Sequence, residues 1–320
     1  MVNDDHRHTS DSMQARLLRA ALSRTVLPIG NAVPTNGLGV AFARTVIEVL
    51  LAAANVGIPR TWHQIADATG TIRGEWIGAT TPGRPVLYYL HGSGYTVCSP
   101  RTHRGLVSEL ARRTGRSAFV LDYRLGPEHR FPAAHDDTLA GYRWLLDLGH
   151  RPENIVVAGD SAGGHLALTL CGQLRTHRLP QPAAVVALSP LVDGTFDTAA
   201  ATETQVHDPF VSARTARRFI GNYTQAADPR DPRMNAALDV GPDLPPILIQ
   251  AGGREMLRAD AELYAAAARD TGAACTVQIW DNMFHVFQLA YRVLPEARAA
   301  LRAITEFMEA AAADTDRVTA

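Results

Sequence analysis

The segment of this chain best suited to chemistry is GDSAG at 159–163, which carries Ser161. It follows the apolar run IVVA and precedes the helix-like sequence HLALTLCGQL. A G-x-S-x-G turn between a strand and a helix holds its serine in a strained conformation with the hydroxyl exposed, and the flanking glycines relieve crowding. Ser161 is therefore predicted to be the nucleophile of an acyl-transfer reaction.

A second glycine-rich turn, HGSG at 91–94, follows the strand-like run PVLYYL. Acyl transfer develops negative charge on the substrate carbonyl oxygen, and removing one donor to that oxygen typically costs about 3–4 kcal/mol. Small residues in this turn let backbone N–H groups approach such an oxygen. We predict an oxyanion hole formed by the N–H groups of Gly92 and Ser93, with that of Ala162 as the third donor.

A serine hydroxyl at its ordinary pKa needs a base to remove its proton. The candidate is His285, in the sequence DNMFHVF that follows the last strand-like run. Hydrolases with this kind of serine turn have the chain order serine, acid, histidine, and His285 is the single histidine that follows the candidate acids. The earlier His91 and His129 do not fit that order, and we expect His91 to organise the glycine-rich loop and His129 to be structural.

The acid that supports the histidine is predicted in the sequence AGGREMLRAD at 251–260. Glu255 is favoured because it lies a few residues past the end of a strand, while Asp260 and Asp281 are the alternatives. The acid would accept the second imidazole N–H and stabilise the imidazolium ion. Asp160, although it is next to the nucleophile, is expected to hydrogen-bond the loop backbone instead.

The elements that must position the candidate catalytic residues are short runs rich in β-forming residues. Most of these runs are separated by helix-like stretches. Such alternation predicts an α/β fold with a mostly parallel central sheet flanked by helices. The sequence from 295 to 312 is expected to form a closing helix. The predicted strands are Pro85–Leu90, Ala118–Asp122, Ile155–Ala158, Ala184–Leu188, Ile247–Gln250 and Cys275–Trp280.

Two regions interrupt this alternation. Residues 1–60 contain two predicted helices, Ser12–Thr25 and Gly37–Asn55, before any strand. Residues 191–243, between the fourth and fifth predicted strands, are dominated by helix and loop signals. Insertions of this kind lie over the carboxyl edge of the strands, where ligands bind. We therefore expect one domain over residues 1–320, with a helical cap formed by about 1–60 and about 191–243.

Composition excludes several other classes of protein. Hydrophobic residues make up 46% and charged residues 20% of the 320 residues, and the net charge is −1, so no broad positive field favours a nucleic-acid partner. The three cysteines, Cys98, Cys171 and Cys275, are too few and too far apart for a disulfide framework or a metal site. We expect no metal and no cofactor.

The chain carries no predicted membrane segment. The most apolar early stretch, 38–56, is interrupted by Arg44 and Glu48, and is expected to pack on the body of the protein as an amphipathic helix. The polar first residues, MVNDDHRHTSD, do not resemble a secretory signal, so a cytoplasmic location is expected. The sequence leaves the oligomeric state open, including a homodimer.

These motifs together resemble the hormone-sensitive-lipase-like family of esterases. The resemblance extends from Pro85 to the final helix and is carried by HGSGYTVCS at 91–99, DYRLGPEHRFPAAHDD at 122–137 and GDSAGGHLAL at 159–168, with DPF at 208–210, LPPILIQAG at 244–252 and DNMFHVFQ at 281–288. It implies an α/β-hydrolase fold and a cofactor-free carboxylic ester hydrolase that prefers short or medium acyl chains. The family roles transfer to Ser161 and His285, and to the donors named above.

Two positions depart from the family pattern. The usual HGGG run reads HGSG, with Ser93 at the middle glycine, which leaves the backbone donor in place but could narrow the acyl pocket. Glu255 replaces the usual aspartate.

Two alternatives to a small-molecule esterase stay open on the same motifs. One is an amide or N-acetyl hydrolase, and the other is a non-catalytic small-molecule receptor, which the complete set of three catalytic residues disfavours.

Overall fold

Nine strands form a single sheet within the part of the chain that the structure describes. The computed structural model describes residues 5–53, 55, 57–67, 70–225 and 227–319. The strands are β1 (Asp5–His8), β2 (Thr61–Asp67), β3 (Gly70–Ile77), β4 (Val86–Leu90), β5 (Ser117–Leu121), β6 (Ile155–Asp160), β7 (Ala184–Leu188), β8 (Ile247–Gly252) and β9 (Cys275–Trp280). Their order in the sheet is β1-β9-β8-β7-β6-β4-β5-β3-β2. β3 runs antiparallel to both β2 and β5, and the other pairs are parallel, so the prediction of a mostly parallel sheet is confirmed.

Helices cover both faces of this sheet. One of them begins after Ser99, which forms a capping box with Thr102, and ends at Gly115 with φ 63°. The helices are α1 (Met13–Arg24), α2 (Val26–Ala32), α3 (Gly37–Ala53), α4 (Pro100–Thr114), α5 (Ala133–Asp147), α6 (Ala162–Thr176), α7 (Asp197–Glu203), α8 (Ala213–Thr224), α9 (Arg258–Thr271) and α10 (Pro295–Thr319).

The central strands are buried on both faces, which explains why they read as nearly continuous apolar runs. Alternate residues enter opposite cores. Tyr88 and Val157 pack with side chains of α5, α6 and α9 on one face. Leu87 and Val156 pack with side chains of α4 and α10 on the other. Because β4, β6, β7, β8 and β9 are parallel neighbours, their carboxyl ends lie together at one edge of the sheet, between the two buried cores.

The strands predicted from sequence are confirmed, two of them with identical ends, but the first three strands were not predicted. The expectation that two helices precede any strand is wrong, because Asp5–His8 pairs in parallel with β9. The imidazole of His8 also stacks on Trp280, with ring centroids 3.9 Å apart. The sequence DHRH has no apolar pattern, so its strand conformation follows from the partner edge and not from local propensity.

The two segments predicted to form a cap contact each other. The side-chain oxygen of Asn31 accepts hydrogen bonds from the hydroxyls of Ser212 and Thr215, at 2.6 and 2.5 Å. The Asn222 amide donates to the carbonyl of Thr35 at 3.0 Å. These bonds join the α2–α3 region to α8. Such contacts are required if the N-terminal segment and the internal segment form one helical layer.

Helix α3 is attached to the body of the protein mainly through polar groups. Arg44 donates to the carbonyls of Thr96 and Gly126 and pairs with Glu128, all at 2.7–2.8 Å. Among the α3 side chains that the structure describes, Val40 and Ala43 are the buried apolar ones. The predicted packing on the body is therefore present, and none of the described helices combines the length and apolar character of a membrane span.

Candidate active site

Ser161 lies on a tight turn between β6 and α6, at φ 54° and ψ −120°. Its own N–H donates to the Leu188 carbonyl at 2.8 Å, which fixes the turn against β7. A Cβ at Gly159 would collide with the backbone of Gly163, and a Cβ at Gly163 would collide with the carbonyl of Leu90. Both glycines of the motif are thus required by close backbone packing, and this packing holds the serine in its strained, outward-facing conformation.

The imidazole of His285 reaches the serine from the loop after β9. Its Nε2 lies 3.0 Å from Ser161 Oγ, and its Nδ1 lies 3.1 Å from Glu255 Oε2. With Nδ1 protonated and donating to the carboxylate, Nε2 is free to accept the serine proton. The loop is held in place by the next residue, Val286, whose N–H donates to the Ser189 hydroxyl at 3.0 Å.

Glu255 is fully buried in the loop after β8, and its Oε1 accepts the N–H of Gly252 at 3.1 Å. This loop lies directly against the histidine loop because Gly252 and Gly253 have no Cβ; one at either position would collide with the backbone around 281–284. The Gly253 N–H donates to the Trp280 carbonyl at 2.8 Å, and that of Arg254 to the Met283 carbonyl at 3.0 Å. Glu255 and His285 are therefore carried by two loops that bond to each other.

The surroundings of His285 favour its protonated form. Burial alone lowers the pKa of the imidazole, but the hydrogen bond and negative charge of Glu255 raise it, and the charge of Asp208 adds to this effect. The net result is a His285 pKa above its ordinary value. A histidine that binds its proton more firmly is a stronger base toward the serine hydroxyl.

The alternative acids lie elsewhere. Asp260 Oδ2 accepts the N–H groups of Val192 and Asp193, at 2.7 and 3.1 Å. Asp281 faces Arg7, at 3.9 Å. Of the three carboxylates considered, Glu255 is the one that hydrogen-bonds to the histidine.

The N–H of Gly92 is not available to a substrate. It donates to Asp160 Oδ1 at 2.9 Å, so the geometry does not support the predicted role of Gly92 in the oxyanion hole. Asp160 also accepts the Tyr89 hydroxyl at 2.8 Å and lies 3.1 Å from His103 Nε2. Burial raises the pKa of this carboxyl, but His103 and these hydrogen bonds outweigh burial and hold it below its ordinary value. The predicted hydrogen bond from Asp160 to the loop backbone is present.

The backbone N–H groups of Ser93, Gly94 and Ala162 have no hydrogen-bond partner among the described residues. Ser93 and Ala162 were predicted donors, whereas Gly94 was not. Gly94 has φ 50°, and a Cβ there would lie 3.8 Å from Phe219 of α8. Asp160 is the residue that could have pointed to Gly94 in the sequence. A buried carboxylate next to the loop needs hydrogen-bond donors of its own, and here it takes the Gly92 N–H, which leaves the N–H groups of later loop residues for a substrate.

The internal insertion brings two further residues to the histidine. The ring centroid of Phe210 is 6.3 Å from that of His285. Asp208 is 3% exposed; its Oδ1 accepts the Phe210 N–H at 2.8 Å, and its Oδ2 has no partner among the described residues. Burial raises the Asp208 pKa to about 7, although the positive charge of His285 opposes this shift. The sequence offered no signal for this carboxyl beyond the DPF segment.

The described residues offer no group of three or more His, Cys, Asp or Glu side chains arranged to bind a metal. Cys171 and Cys275 are buried, Cys98 is partly exposed, and none of the three forms a disulfide.

Comparison with known proteins agrees with this geometry. A model of a family with the α/β-hydrolase fold matches residues 87–289. The chain belongs to this family. It is similar to a crystal structure of an esterase from the bacterial hormone-sensitive lipase family, with 33% identity, coverage of 94% of this chain and 98% of that one, and a TM-score of 0.81. The resemblance to hormone-sensitive-lipase-like esterases is thereby confirmed.

Curated relatives of this α/β-hydrolase include enzymes that act on esters. An acetyl-hydrolase of Streptomyces hygroscopicus is 36% identical over 260 residues, which are 81% of this chain and 86% of that protein. The carboxylesterase/phospholipase LipF of Mycobacterium tuberculosis is 35% identical over 273 residues, 81% of this chain and 71% of that protein. The esterase EstE5, in a crystal soaked with p-nitrophenyl butyrate, superimposes with a TM-score of 0.82 at 33% identity, covering 95% of this chain and all of that one.

Proposed function

We propose that this α/β-hydrolase is a carboxylic ester hydrolase that works through an acyl-enzyme. The observation that carries the proposal is the continuous chain of contacts from Glu255 through His285 to Ser161, with both distances near 3 Å. In this proposal Ser161 is the nucleophile, His285 the general base and then general acid, and Glu255 the buried carboxylate that orients the imidazole. The esterases among the relatives support the same reaction.

The reaction has two halves. In the first, His285 takes the Ser161 proton as Oγ attacks the ester carbonyl carbon, and then gives that proton to the departing alcohol. In the second, His285 takes a proton from water as the water oxygen attacks the acyl carbon, and then gives that proton to Ser161 Oγ as the bond between Oγ and the acyl carbon breaks and the carboxylic acid leaves. In each half the carbonyl oxygen becomes an oxyanion. We propose that it is stabilised by the N–H groups of Ser93, Gly94 and Ala162.

The proposed substrates are small-molecule esters with short or medium acyl chains. The names of the relatives support this range, since they include an acetyl-hydrolase and an ethyl acetate hydrolase. Phe210, which is 36% exposed and lies beside His285, offers an apolar surface at the site for such a chain. We further propose that about 1–60 and about 191–243 form the cap of a single domain, because their side chains bond to each other across α2 and α8.

The proposal is tested with p-nitrophenyl esters from acetate to decanoate. We expect a burst of p-nitrophenol equal to the enzyme concentration, turnover that falls for the longest chains, and covalent labelling of Ser161 by a fluorophosphonate. Ser161→Ala should lose the burst, the turnover and the label. Full turnover by Ser161→Ala would refute the mechanism.

The same triad could cleave an amide, so matched substrates are needed. An N-acetyl arylamine and the corresponding O-acetyl ester should be compared under the same conditions, and we expect the ester to be turned over far faster. Stoichiometric binding of esters without any turnover would instead support the receptor alternative.

A further inference from the structure

The hydroxyl of Ser93, at the position where the usual HGGG run departs to HGSG, is directed into the protein. Ser93 is 5% exposed, and its Oγ lies 2.7 Å from the Tyr123 hydroxyl. The same Oγ accepts the Tyr95 N–H at 2.8 Å. Both partners are buried, so the Ser93 hydroxyl is bonded within the protein.

These contacts form a hydrogen-bond chain with a single direction. Tyr123 Oη lies 2.5 Å from the His91 carbonyl oxygen, which can only accept, so the tyrosine hydroxyl donates there. Tyr123 Oη must therefore accept from the Ser93 hydroxyl, which itself accepts from the Tyr95 N–H. Each of the two hydroxyls donates once and accepts once, an arrangement in which successive hydrogen bonds strengthen one another.

This chain joins both ends of the loop that carries two of the proposed oxyanion donors. His91 precedes the N–H groups of Ser93 and Gly94, and Tyr95 follows them. Gly94 has φ 50° and Tyr95 has φ 60°, two successive residues in the left-handed region. A non-glycine residue in that region is strained and persists only where its surroundings hold it.

Tyr123 is a fixed support for the loop. It lies just past the end of β5, is 1% exposed, and its ring stacks on the His91 imidazole with centroids 4.4 Å apart. Burial keeps the pKa of its hydroxyl well above the ordinary value, so the group stays protonated and can donate to the His91 carbonyl. The loop is thus attached through hydroxyl groups to the edge of the sheet.

We propose that Ser93 and Tyr123 are positioning residues that aim the N–H groups of Ser93 and Gly94 at the developing oxyanion. The inference rests on the proposed function. Donors that are misplaced lose more of their effect on the transition state than of their effect on ground-state binding. Loss of the chain should therefore lower kcat and leave KM nearly unchanged.

The test compares Ser93→Ala, Tyr123→Phe and the double variant, with p-nitrophenyl acetate as substrate and an alkyl trifluoromethyl ketone as a tetrahedral-adduct inhibitor. We expect each single change to lower kcat about tenfold, less than the 10²–10³-fold loss on removing a donor outright. KM should stay within about twofold, and the inhibition constant should rise by the same factor as kcat falls. The double variant should be no slower than the slower single variant, because both changes break one chain.

Tyr142→Phe is the matched control. Tyr142 is also a buried tyrosine, but it lies in α5, and its hydroxyl donates to the Pro180 carbonyl at 3.1 Å and not to the glycine-rich loop. It should keep kcat even if its melting temperature falls. The inference is overturned if Ser93→Ala and Tyr123→Phe keep wild-type kcat, if KM rises while kcat holds, or if the two effects multiply. Should Ser93→Ala fail to fold, Tyr123→Phe decides by the same criteria. If the Ser161→Ala variant keeps the turnover of the wild type, the proposed function is refuted instead.

Discussion

The buried carboxyl of Asp208 should make the stability of this protein fall as the pH rises from about 4 to about 7. Its pKa is 3.8 in a model peptide and about 7 in the folded protein, because burial disfavours the charged form. Between these values the folded state holds a proton that the unfolded state has released. The free energy of unfolding therefore decreases with pH across this interval and levels off above pH 7.

The magnitude follows from the size of the shift. A difference of about 3 pKa units corresponds to about 4 kcal/mol at most, since one unit is 1.36 kcal/mol. Asp208→Asn keeps an oxygen that can accept the Phe210 N–H but carries no charge at any pH. Relative to wild type, the variant should show little difference in stability near pH 4 and gain about 2–4 kcal/mol near pH 8.

Urea unfolding at pH 5, 6, 7 and 8, followed by tryptophan fluorescence, measures this difference. Asp270→Asn, which changes an exposed carboxylate on α9, is the matched control and should leave the pH dependence as it is in wild type. If the stability difference between Asp208→Asn and wild type is the same at all four pH values, the reasoning about this carboxyl is refuted.

Three further predictions address the base, the loop and the core. Glu255→Gln should move the acid limb of the kcat/KM profile to lower pH, because the charge that raises the His285 pKa is gone, and should reduce kcat at every pH; an unmoved limb in a pH–rate series would contradict it. Gly94→Ala should lower kcat at least tenfold, because φ 50° is strained for alanine, with circular dichroism verifying the fold. Arg104→Met should reduce the free energy of unfolding by about 3–5 kcal/mol in urea titrations, because it leaves the buried carboxylate of Glu75 without its two short hydrogen bonds, at 2.9 and 2.6 Å.

The proposed nucleophile, the proposed base and most of the sheet could be predicted because their signals are local or follow chain order. Ser161 is marked by two glycines whose lack of a Cβ is required by close backbone contacts. His285 was identified by its place after the candidate acids. The central strands were recognisable because a parallel strand buried on both faces must be apolar along its whole length.

Other features depend on partners that are far away in sequence. The strand at Asp5–His8 forms because the edge of β9 offers hydrogen bonds and Trp280 offers a ring, and no pattern within DHRH indicates either. Asp208 becomes part of the site only because the insertion folds back over His285. Its burial, which sets its pKa, is a property of the packed insertion and not of the DPF segment.

Asp160 limits which residues can be placed in the glycine-rich loop at 91–94. This carboxylate occupies the space next to Gly92, where any Cβ would collide with it, and it takes the Gly92 N–H as a donor. A glycine is therefore required at 92 for a reason unrelated to the substrate, and the N–H that sequence reasoning assigned to the oxyanion belongs to the support beneath the loop. One position later the loop turns away from Asp160, and the side chain of Ser93 finds Tyr123 instead. The departure from HGGG thus falls where a side chain can add a support, and the substitution leaves the backbone N–H groups of the loop in place.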